Sequence, residues 1–138
     1  MNINETQEEI IEYFSMLPDW HSKYEYLLDM ENCLPVMDAE LKTDESLVHG
    51  CNSKAWIRAE LLDDKIKFTA DGETAVARGI LALIIKILNE RTPDEILASE
   101  LYFIDRIGLM ENLSMTRAQG LEHLVEKIYV LARSFSNP

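Results

Sequence analysis

An α+β fold is what the sequence predicts: a small antiparallel three-stranded sheet packed by N-terminal and C-terminal helices. Three observations predict it. Residues 55–70 alternate apolar and polar about a two-residue reversal, residues 76–87 carry an apolar stripe at helical spacing, and both chain ends show helix start signals. The chain has 138 residues, 47% of them hydrophobic, which is enough to build one core and too few for two independent enzyme domains. It reads as a single domain, 1–138, without repeat or linker.

From the start of the chain, Asn4 is expected to cap a first helix, with Gln7 three residues on completing a capping box. Ile10, Ile11 and Phe14 supply its apolar stripe and Pro18 ends it. Asp19 then caps a second helix carrying Trp20, Tyr24, Leu27 and Leu28. Asn32 to Glu45 holds Pro35 and scattered acids and reads mostly as loop.

The period then changes. Ala55, Ile57, Ala59 and Leu61 share one strand face, with Lys54, Trp56, Arg58 and Glu60 on the other. Asp63-Asp64 makes a tight reversal, and Ile66, Phe68 and Ala70 repeat the alternation, so this is a β-hairpin. A short strand at Leu47-Val48-His49 is expected to pair with it across a Gly50-Cys51-Asn52 turn. After Asp71-Gly72 the chain turns helical. Val76, Ile80, Leu83, Ile84 and Ile87 form a stripe suited to cover the hairpin. Thr92-Pro93-Asp94-Glu95 is a helix start with cap, first-turn proline and capping-box glutamate. A short helix is expected in Leu101 to Ile107. A final one starts near Thr116 and presents Leu121, Leu124, Val125, Ile128 and Leu131.

Charge excludes some functions. Thirteen basic against 25 acidic residues leave a net of −12, a field that repels nucleic-acid phosphates and anionic lipid. The acidic, polar start lacks the features of a signal or transit peptide, and no apolar run approaches a membrane span. A cytoplasmic location is expected, with Cys33 and Cys51 kept as thiols.

Enzyme motifs fail on spacing. The chain has no phosphate-binding glycine loop, HExxH or CxxC, and six residues separate Cys51 from Arg58, where a phosphatase cysteine loop wants fewer. His21 and His123 lie on helices and read as surface or packing residues. Cys33, His49 and Cys51 are the material for the alternative reading, a small metal- or Fe–S-binding scaffold module. The seventeen residues between the two cysteines fit no zinc spacing, and a closed site wants four ligands. Trp56, placed beside Lys54 and Arg58, reads either as a ring covered by a helix or stacked on an arginine stem, or as a partner-contact anchor. Cys51 follows Gly50 at a turn, with His49 two residues before it and Lys54 and Arg58 downstream. Those basic groups would favour a nucleophilic thiolate, so from spacing Cys51 is either a reactive thiol or an inert buried one.

The segment Gly50-Cys51-Asn52-Ser53-Lys54-Ala55-Trp56 resembles the G-C-x-S-x-x-W stretch of the SufE/CsdE family of sulfur-acceptor proteins of iron–sulfur cluster assembly. Trp20 with Lys23-Tyr24 and Leu34-Pro35 resembles that family's N-terminal helix pair. Asp71-Gly72-Glu73 with Arg78-Gly79 resembles the entry to its long helix, and Arg117-Ala118-Gln119-Gly120-Leu121-Glu122 the start of its last helix. These pieces occur in family order over nearly the whole chain.

The resemblance implies a fold like that of the IscU-type scaffold, without that scaffold's several cluster ligands. It implies a persulfide acceptor at Cys51 that takes sulfur from a pyridoxal-phosphate (PLP)-dependent cysteine desulfurase of the SufS/CsdA kind, activates it, and passes sulfur to an Fe–S scaffold complex. The carrier itself would be no enzyme and would need no cofactor. Gly50, Ser53 and Trp56 come with the motif, and Cys51 is expected to turn toward the hairpin's apolar face and the Val76 to Ile87 stripe instead of into solvent, with Gly50 as the joint for leaving that shelter. Arg117 is implied as a thiolate-stabilising or partner-contact residue, and Asp71 and Glu73 as neighbours of the acceptor loop. His49 stands where the family varies, so any effect on Cys51 is particular to this chain, and Cys33 has no family counterpart.

Overall fold

In the computed structural model, which describes residues 1–51 and 53–136, helix α1 runs over Ile3–Ser15 and is capped by Asn2. Asn2 Oδ1 accepts from the Glu5 N–H at 2.7 Å while the Glu5 carboxylate accepts from the Asn2 N–H at 3.0 Å. The capping box therefore forms two residues earlier than Asn4-Gln7 would put it. Gln7 is recruited elsewhere. Fully buried, it accepts from the Phe103 N–H at 3.1 Å and donates to the Glu100 carbonyl at 2.9 Å, tying α1 to the chain that follows the long helix. Helix α2 (Trp20–Met30) starts as expected, with Asp19 accepting from the Ser22 N–H.

The hairpin is formed by β1 (Ala55–Leu62) and β2 (Lys65–Gly72), antiparallel with Trp56 opposite Asp71 and Leu61 opposite Ile66. Asp63 and Asp64 turn it with φ of 50° and 68°, the left-handed pair that a two-residue hairpin loop requires and that aspartate tolerates. Among the described residues the sheet has two strands, not three. Leu47-Val48-His49 contributes only a bridge: the Val48 N–H donates to the Ala55 carbonyl and the Ile57 N–H to the Ser46 carbonyl, each at 2.8 Å. Pairing stops there because both ends are pulled off the sheet. Ser46 is tied into the preceding turn through the Leu41 and Thr43 carbonyls, and Gly50, at φ 94°, bends the chain away. Asn52, part of the expected turn, lies outside the described residues.

Helix α3 (Ala75–Leu88) follows, capped by Thr74. Its stripe of Val76, Ile80, Leu83, Ile84 and Ile87 is buried against Ile57, Ile66, Phe68 and Ala70 of the hairpin and against Leu27 of α2. Leu61 and Leu62 are exposed, because the hairpin tip extends past the helices that cover its base. The outer edge of β2 is closed by Glu90 and Arg91, which exchange backbone hydrogen bonds with Ile66. The short helices α4 (Pro93–Leu97), α5 (Phe103–Arg106) and α6 (Leu109–Asn112) lead to α7 (Met115–Phe135). Thr92 and Glu95 form the expected capping box on α4. Leu121, Leu124 and Ile128 turn the buried face of α7 toward the sheet and α3. Among the described residues no helix is long and apolar enough to cross a membrane.

Candidate functional site

The turn at Gly50 delivers Cys51 to α7. The Cys51 side chain is half-buried against the core, and its Sγ donates to the Gly120 carbonyl at 3.5 Å. A Cβ on Gly120 would stand 3.0 Å from Sγ, so the missing side chain is what admits the sulfur so close to the helix. The thiol faces a cavity of about 310 Å³ between the base of the hairpin, α3 and α7. Ala55, Val76, Ile80, Leu81, Leu121 and Leu124 make its wall apolar, and Ser53, Thr74, Thr116 and Arg117 bring polar groups to it.

Burial pushes the Cys51 thiol above its ordinary value. That direction is opposite to the one expected from neighbouring basic groups, and the positions of those groups explain it. His49 is exposed and nearest to an acid, with Nε2 3.9 Å from Asp44 Oδ1. Lys54 is exposed at the entry to β1, and Arg58 lies on the hairpin face opposite Ile57. In its inward position the sulfur is a protonated, weakly nucleophilic thiol at neutral pH.

The remaining candidates fall into two groups. Ser53 and Arg117 share the cavity with Cys51. Glu73 is close by: its carboxylate accepts from the Lys54 N–H, and its own N–H donates to the Lys54 carbonyl at 2.9 Å. This double link clamps the exit of the Cys51 loop to the end of β2. Trp56 and Asp71, paired across the hairpin, form a separate cluster with Lys42. Lys42 Nζ sits 2.7 Å from Asp71 Oδ2 and 5.1 Å from the Trp56 ring centroid, so the ring is half-covered by a lysine cation rather than by an arginine stem. Burial pushes the Asp71 carboxyl up, but hydrogen bonds from Lys42 and the Gly72 N–H, with the charges of Lys42 and Arg78, outweigh it and hold the carboxyl below its ordinary value. Cys33 is exposed at the end of a single turn of 3-10 helix, Glu31–Cys33. Among the described residues no three His, Cys, Asp or Glu side chains gather to hold a metal, so Cys33, His49 and Cys51 are not assembled as a ligand set.

Two contributors to the site carry no role in the sequence reading. Gly120 lies within the quoted Arg117–Glu122 stretch. Its signal is a glycine inside a helix, where it costs about 1 kcal/mol against alanine. His123, read as a surface or packing residue, is both: it is exposed, and its ring rests against Gly50.

The family model described as "SufE: Fe-S metabolism associated domain" matches residues 8–132. The chain belongs to the SufE family. It is 33% identical over 125 residues to the sulfur acceptor protein CsdE of Escherichia coli strain K12, covering 89% of this chain and 85% of that protein. An uncharacterized SufE-like protein of Rhizobium etli is 32% identical over 126 residues, covering 88% and 85%. In fold, this SufE-family chain matches the solution structure of a hypothetical protein from Thermus thermophilus with a TM-score of 0.77 at 19% identity, over 94% of each chain.

Proposed function

We propose that the protein is a sulfur carrier of Fe–S metabolism that takes persulfide sulfur onto Cys51 from a PLP-dependent cysteine desulfurase and hands it to a cluster-assembly scaffold. The observation that carries this reading is a single half-buried thiol on a loop bent at Gly50, facing an apolar cavity with space for a second sulfur atom. Membership of the SufE family and similarity to a protein named as a sulfur acceptor support the same role.

The chemistry is thiol–persulfide exchange. Cys51 first loses its proton to solvent or to a base of the partner. Its thiolate then attacks the outer sulfur of the desulfurase persulfide. A sulfur–sulfur bond forms to Cys51, the bond to the partner's cysteine breaks, and the electron pair leaves on that cysteine. Burial that raises the thiol's affinity for its proton makes the inward position unreactive, so transfer takes place with the loop turned out toward the partner. On return, the apolar cavity keeps the outer sulfur from small cellular thiols. Gly50 supplies the bend, Glu73 and Ser53 border the loop, and Arg117 at the cavity contacts the incoming partner. Trp56, Asp71 and Lys42 form an adjoining surface. Carbon–sulfur cleavage belongs to the partner, so the carrier works without a cofactor and without catalysis of its own, in the cytoplasm, as one domain over 1–138.

The test compares two variants in a desulfurase assay. Cys51→Ser should abolish both sulfur acceptance and stimulation of the desulfurase, and Cys33→Ser should leave both intact. Activity that follows Cys33 instead would overturn the assignment.

A further inference from the structure

We propose that His123 is a positioning residue for the Cys51 loop: its ring, seated against Gly50, holds the loop inward, and the loop leaves only when that contact is given up. The purpose of such a seat rests on the reading of Cys51 as sulfur acceptor; its geometry does not.

Two contacts, one helical turn apart on α7, carry the inference. At Gly120 the helix gives up a side chain and Cys51 fills the space, with Sγ where an alanine Cβ would stand 3.0 Å away. At His123 the relation is reversed. A Cβ on Gly50 would lie 2.6 Å from Cδ2 and 2.7 Å from Nε2 of His123, so the imidazole occupies the volume that a side chain at position 50 would need. Residues three apart on a helix share a face. Gly120 and His123 thus form a hole and a knob that match the knob and hole of Cys51 and Gly50. This fits loop to helix in one register.

The strength of the seat suits a loop that must move. His123 is exposed even with its ring against Gly50, so the water it gives up there is a modest gain. A deeply buried anchor would hold the thiol permanently inward; a one-sided contact leaves the outward position thermally accessible.

The experiment reads the alkylation rate of Cys51 by iodoacetamide in the free full-length protein, in a Cys33→Ser background that leaves one thiol. Alanine is a better helix former than histidine, so His123→Ala does not weaken α7. Alkylation should be about three- to tenfold faster in His123→Ala, because the outward population rises when the ring is removed. His123→Phe, whose flat ring refills the seat, should stay within about twofold of the parent. An unchanged rate in His123→Ala would overturn the proposal. So would a His123→Phe variant as fast as the alanine one, or faster amide exchange along α7 accompanying the faster alkylation, since that marks general loosening. No desulfurase takes part in this readout, so its result is independent of whether Cys51 accepts sulfur.

Discussion

The Cys51 thiol donates to the main-chain carbonyl of Gly120 at 3.5 Å, joining positions 69 residues apart in the chain. A loop and a helix interior meet there, and the meeting depends on the absence of a single methyl group. Sequence distance is irrelevant to the thiol's environment; the side chain missing from α7 decides it.

Gly120→Ala separates site geometry from stability. Replacing a glycine inside a helix with alanine stabilises it by about 0.5–1 kcal/mol. The new Cβ would stand 3.0 Å from Sγ, so the thiol must shift by a few tenths of an ångström, and its neighbours on a loop can give. The midpoint of thermal unfolding should therefore hold or rise while Cys51 alkylation in the free protein becomes faster. A variant less stable than the parent, with the thiol still slow, would show that the loop is rigid and the helix yields instead.

The thiol's titration has a definite sign. Burial raises the folded-state value above the ordinary 9.0 at which the unfolded chain titrates. The protonated thiol's contribution is therefore fully present below the ordinary value and is lost as pH rises through the raised one. Unfolding by urea, followed at several pH values, should show parent and Cys51→Ser keeping a constant difference near neutrality. That difference should move against the parent above pH 9.0. A difference moving in the parent's favour with rising pH would mean that the folded protein stabilises the thiolate.

The Asp71–Lys42 pair should behave in the opposite sense. The Asp71 carboxyl is held below its ordinary 3.8, so its contribution is present above that value and lost as pH falls through the lower folded value. Asp71→Asn should cost about 0.5–1.5 kcal/mol at neutral pH, with the cost shrinking in acid and in high salt. A cost independent of pH would assign the effect to hairpin packing beside Trp56 rather than to charge.

What the sequence made legible is what local chemistry specifies. The hairpin follows from strict alternation and an Asp-Asp reversal, the α3 stripe from helical spacing, and the Thr92–Glu95 box from residues that cap one another. Where long-range partners compete, local reading goes astray. Asn4-Gln7 and Asn2-Glu5 have the same spacing, and the first loses because Gln7 is claimed by Phe103, 96 residues away. The third strand fails because Ser46 and Gly50 bend the chain off the sheet at either side. The hairpin and the Val76 to Ile87 stripe are the shelter the sequence offers Cys51, and Ala55, Val76 and Ile80 do line its cavity. What local reading misses is that the basic neighbours turn outward and that α7, far along the chain, supplies the other wall and the carbonyl the thiol meets.

The most direct measurement of the central claim is the intact mass of the protein after incubation with a cysteine desulfurase and cysteine, followed by peptide mapping. The expected result is a gain of one sulfur atom on the peptide containing Cys51, removed by a reducing thiol, absent in Cys51→Ser and retained in Cys33→Ser. A mass unchanged by a desulfurase that is itself turning over, or sulfur mapped to Cys33 with Cys51 unmodified, would contradict a carrier built on Cys51.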